Sequence, residues 1–158
     1  MTTATKPARR TVRFSVLADI LNDVDRILSG PYVTVGEWTC GQILEHLALT
    51  IDCSFDGFDF KAPWLARTFI APFVKNKVLT SALSPGFKLP KNANSLMPKP
   101  DCDVEIAATH LRKAVARFQS ELPMQRHPFL GYMTREEWVM STLRHCELHL
   151  SFIVPEGA

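Results

Sequence analysis

Thr39-Cys40-Gly41-Gln42-Ile43-Leu44-Glu45-His46-Leu47-Ala48 reads as the opening of an α-helix. Thr39 and Gln42, three residues apart, form a capping box, in which each side chain satisfies an orphan backbone donor of the first turn. Trp38, just before the cap, is placed to pack back on those turns. Beyond it Ile43, Leu44, Leu47, Ala48 and Ile51 recur at helical spacing, so a helix is expected from about Cys40 to Phe55. His46 lies beside that stripe, on the side shared with Ile43 and Thr50.

The flanking sequence repeats the helical pattern. Ser15 to Leu28 carries Val16, Leu17, Ile20, Leu21, Val24, Ile27 and Leu28, with Ser15 as a candidate cap and Gly30-Pro31 as a stop. Trp64 to Leu79 is helical in pattern but contains Pro72, which predicts a kink or a break. Its aromatic, lysine-flanked surface reads as a covering or dimer-forming segment rather than a membrane contact. Ser84 to Pro100 holds four prolines and Gly86 and is expected to be an extended connection wrapping the helices; loops of this length often line a site. Asp101 or Asp103 caps a fourth helix that runs to about Leu122. Thr134 and Glu137 form a second capping box, opening a helix to about Val154. No stretch alternates with period two. The expectation is an all-α four-helix bundle with a short accessory helix. The basic cluster Lys6, Arg9, Arg10 and Arg13 is read as a solvated tail leading into the first helix rather than a binding arm, with residues 1–12 as the tail, 13–155 as one domain, and Pro155 and Gly157 closing the chain.

A chain of 158 residues can bury a full core, and a net charge of +2 gives no field that argues for nucleic acid. No apolar run is long enough to span a membrane, and no export signal is evident. Cys40, Cys53, Cys102 and Cys146 lack paired spacing, which suits reduced thiols in a cytoplasmic protein.

The chemistry concentrates in Arg144-His145-Cys146-Glu147-Leu148-His149. Histidines four apart on a helix lie about 40° from one another, close enough to reach one metal ion. Trp138 falls between them on the wheel and Thr142 is close by. Arg144 and Glu147 are expected to point away, and Cys146 to face the core. His46 occupies a similar edge on its own helix, so three neutral imidazoles converge if the two helices are neighbours. Such a set suits zinc, nickel or iron(II) and leaves a position open for water or substrate. The residue after His145 is cysteine, not the glutamate of HExxH, which disfavours a zincin protease. His110 reads as solvated. His127, before Pro128, fixes a turn or faces the mouth of the site. Asp52 and Asp56 are candidates to back the ligands, although a solvated helix face is their commoner role.

Trp38 to Leu47 resembles the W-[ST]-x-x-[EQ]-x-x-x-H segment of the DinB-like (YfiT-like) metalloenzyme superfamily. His127-Pro128-Phe129-Leu130-Gly131, Thr134 to Trp138, and His145 with His149 resemble its closing segment. Pro85-Gly86-Phe87-Lys88-Leu89-Pro90 is similar to one branch of it, a domain of unknown function. The resemblance spans about Thr11 to Ile153. It implies an up-down-down-up bundle with a long crossover, a homodimer, and a divalent metal on His46, His145 and His149. It also implies a small-molecule substrate and, from characterised relatives, a transferase or isomerase using a low-molecular-weight thiol. A pocket lined by Trp38, Thr50, His127, Trp138, Thr142 and the proline-rich loop is expected beside the metal. Lys88, Lys91 and Lys99 on the long loop read either as contacts for an anionic substrate or as ordinary solvated side chains. The other reading is a non-catalytic dimeric bundle whose metal is structural or absent.

Overall fold

A computed structural model describes residues 8–123 and 126–156. Lys6 of the expected tail and Gly157 lie outside them. The described chain is mostly helical, with one two-stranded sheet.

Helix α1 spans Leu17–Leu28 and buries Ile20, Asp23, Val24 and Ile27. Ser15 does not cap it. The Asp19 carboxylate instead accepts from the backbone N–H groups of Ser15 and Val16, at 2.7 and 3.0 Å. A carboxylate in the first turn also suits the positive end of the helix dipole. After Gly30-Pro31 comes strand β1, Tyr32–Thr34.

Helix α2, Cys40–Asp56, starts at the expected capping box: Gln42 N–H donates to Thr39 Oγ1 (3.2 Å) and Thr39 N–H to Gln42 Oε1 (3.0 Å). It packs chiefly against α4, Val104–Ser120. At Gly41 the approach is so close that a Cβ would collide with the carbonyl of Cys102. Asp103 caps α4, accepting from Ile106 N–H at 2.9 Å.

Between them the chain departs from a simple helix at Pro72. Ala66–Ile70 forms a π-helical turn, and α3, Ala71–Thr80, follows with Pro72 in its first turn. Proline has no N–H to give the preceding turn, so the chain widens there. Trp64, Leu65, Phe69 and Phe73 are exposed on this segment. The proline-rich stretch that follows is irregular apart from a 3₁₀ turn at Asn94–Leu96.

Helix α5, Arg135–Leu150, opens at the Thr134–Glu137 box and lies against α1, α2 and α3. It stops short of the expected Val154. Ile153–Pro155 instead forms β2, antiparallel to β1 with Val33 opposite Val154. Two β-branched residues before a proline favour extended backbone, and β1 offers them an edge.

Three other expectations are corrected. Arg10 is not solvated: its guanidinium donates to Asp23 (3.0 and 2.8 Å) and to the carbonyls of Leu150 and Ile153. Arg144 and Glu147 do not point to solvent: both are buried at 5% exposure. The N-terminal arm covers them. Arg144 donates to Phe14 O (2.7 Å) and to Glu147 (2.6 Å), and Glu147 accepts from Phe14 N–H (2.6 Å). His110 is half-buried between Glu45 (2.9 Å) and Asp52 (2.8 Å), because α4 brings it against the polar side of α2. No described helix is long and apolar enough to cross a membrane. All four cysteines are free.

Candidate metal centre

The contact between α2 and α5 brings His46, His145 and His149 together. One potential ligand atom from each lies within 4.8 Å of the others, so the group could hold a metal ion. Ring centroids are 4.6 to 5.1 Å apart. The Nε2 atoms of His46 and His145 are 3.3 Å from each other. Two bare lone pairs at that distance repel unless a proton or a cation lies between them. The donor set therefore fits a divalent cation of the zinc, nickel or iron(II) class.

The tautomer of His46 supports the same fit. Its Nδ1 lies 2.7 Å from the carbonyl of Leu96 in the 3₁₀ turn, so Nδ1 carries the proton and donates. Nε2 is then left with a free lone pair turned to the cluster, the arrangement by which an outer hydrogen bond orients a ligating histidine. Burial pushes the His46 imidazole down, against the raising effect of Leu96. Burial and the neighbouring imidazoles hold His145 well below the ordinary histidine value. Burial, with His46, brings His149 to about 3. All three rings are neutral at physiological pH, the form in which imidazole binds metal.

Trp38 stacks on His149, with centroids 5.8 Å apart and planes at 16°, and tilts over His46 at 4.8 Å. Thr50 lies along the same wall, but its hydroxyl donates to the His46 carbonyl at 2.8 Å. Thr142 is buried one turn before Cys146 and also faces the cavity. Trp138 is buried between Phe58 and His127, with its Nε1–H lacking a partner among the described residues. His127 both fixes a turn and lines the site: its Nδ1 accepts from Phe129 N–H (3.1 Å) and Leu130 N–H (3.0 Å). Burial, with a contribution from Lys75, lowers it to about 4.

The cluster opens on a cavity of about 1300 Å³ whose wall includes Phe58, Phe60, Val74, Val78 and Phe129. Asp52 and Asp56 do not back the histidines; they bind Arg117 at 2.8 and 2.7 Å. Cys146 is buried, and burial pushes its thiol above the ordinary range. The Leu96 carbonyl is a functional group that no side-chain pattern could reveal. Its only trace in the sequence is its place in a long irregular loop.

A family model described as a protein of unknown function (DUF1569) matches residues 6–156, and the chain belongs to that family. No curated protein and no solved structure matches it.

Proposed function

We propose that this DUF1569 member is a metal-dependent enzyme of the DinB-like type. His46, His145 and His149 would hold one divalent ion. The observation that carries the reading is the convergence of three neutral imidazoles beside a large cavity, with the group limited to three members among the described residues. Three protein ligands leave room for a further one, as in catalytic rather than closed structural sites. A divalent metal there would supply an acidified thiol or water as nucleophile at neutral pH.

The chain's own groups do the rest. Leu96 fixes the His46 tautomer and Trp38 braces the His149 ring. The apolar wall offers a surface for a small-molecule substrate beside the histidines. A thiol-dependent transferase or isomerase, or a hydrolase, is the reaction class this fits. The supporting architecture is a four-helix bundle of α1, α2, α4 and α5, with residues 57–103 as the long crossover and α3 as the accessory helix. Four free cysteines suit a cytoplasmic protein.

A second reading has its own observation. Trp64, Leu65, Phe69 and Phe73 present an apolar face to solvent, which suits a homodimer or a partner-binding bundle.

Steady-state assays of zinc-, nickel- and iron(II)-loaded protein with a low-molecular-weight thiol and an electrophilic acceptor test the proposal. Metal-dependent thiol consumption, lost in His149→Ala, is expected. Equal rates in the variant and the wild type would exclude the site as the seat of the reaction.

A further inference from the structure

The charge of this chain is unevenly spread. Seven basic residues and no acidic one lie between positions 60 and 100, although the whole chain has 18 basic and 16 acidic residues. That stretch builds much of the cavity wall. Ile70, Val74 and Phe87 are lining residues that remain exposed, so they stand at the mouth. Lys88 and Lys91 stand there with them. Lys75, by contrast, is already paired with Glu137 at 2.7 Å. Lys88 and Lys91 have no ion-pair partner among the described residues. Glu37 is the one carboxylate among the described lining residues.

Size adds a second constraint. A cavity of about 1300 Å³ exceeds the roughly 300–1000 Å³ of ordinary small-molecule sites. Phe58, Phe60, Val78 and Phe129 make its interior apolar. A cationic ligand would be repelled at the entrance. A small polar one would leave the wall uncovered.

We propose that the cavity takes an anionic amphiphile, its acidic headgroup held at the mouth by Lys88 and Lys91 and its acyl or aryl body laid along the apolar wall toward the histidines. The inference rests on the proposed metal enzyme only for what happens at the inner end. Binding itself needs no metal.

Calorimetric titration of metal-stripped protein with laurate and with dodecanol, below their aggregation concentrations, separates these elements. Two exposed cations should favour the acid by about fivefold. Lys88→Glu/Lys91→Glu, at exposed positions that leave the core untouched, should abolish that preference. Ile70→Asn should weaken both ligands. Equal affinity for acid and alcohol, absence of saturable binding, or a preference that survives the double variant would overturn the proposal. A preference for laurate that appears only after metal loading would also overturn it, while supporting the metal centre. A preference in a protein that takes up no metal would support the amphiphile site and count against the metal.

Discussion

His46 Nε2 and His145 Nε2 lie 3.3 Å apart, although the two residues are 99 positions apart in the chain. Helix α2 holds one, helix α5 the other, and the Leu96 carbonyl turns the first toward the second. The two nitrogens face each other at a distance that a shared proton or a bound cation would bridge.

Metal should therefore stabilise the fold. A ligand that binds only the native state contributes about 2.7 kcal/mol at a hundred times its dissociation constant. For a domain of this size that raises Tm by about 5–10 °C. Thermal melts with added zinc, nickel or iron(II), reversed by chelator, check this. A Tm indifferent to all three would contradict it.

Glu147 should be costly to remove. It is buried, accepts from Phe14 N–H at 2.6 Å and pairs with Arg144, so Glu147→Ala leaves a buried guanidinium without its carboxylate and a backbone N–H of the arm without its acceptor. Breaking such a pair typically costs about 3–5 kcal/mol. Urea denaturation of the variant should show a loss of that order. A change under about 0.5 kcal/mol would show that the arm contributes nothing there.

His110 should make stability depend on pH. Burial pushes its imidazole down, but hydrogen bonds with Glu45 and Asp52 more than compensate, and the folded value is raised. A raised folded value means that its contribution is complete below the unfolded histidine value of about 6.5. It is lost as pH rises through the folded value. The stability difference between wild type and His110→Gln should therefore be larger at acidic than at alkaline pH. A difference independent of pH would refute the pairing.

Gly41→Ala should destabilise the α2–α4 contact. The added Cβ meets the backbone carbonyl of Cys102, which cannot rotate aside as a side chain would. Overpacking of this kind costs about 1–3 kcal/mol. Equilibrium unfolding measures it, and a neutral substitution would show that the two helices sit farther apart.

What could be read in advance was local. The boxes at Thr39 and Thr134 mark their helix starts because both partners lie within one turn. Pro72 announces its own distortion. The histidine group was visible only as three positions at the edges of two helical stripes, since no sequence period reports which helices touch. Long-range pairing was hidden altogether. Tyr32–Thr34 and Ile153–Pro155 are three-residue strands from opposite ends of the chain, too short to show alternation. Arg144 and Glu147 look like a solvated helix face until the arm carrying Phe14 folds over them. The same holds for Arg10, whose partners come from α1 and from the end of α5.

The central claim is that three histidines hold one metal ion. Elemental analysis of protein purified without an affinity tag or added metal, on wild type and on His46→Ala, His145→Ala and His149→Ala, tests it directly. The account predicts about one divalent ion per chain, lost in each variant while circular dichroism remains helical. Metal content unchanged in the variants, or a wild type that holds none and takes up none on titration with zinc, nickel or iron(II), would contradict it.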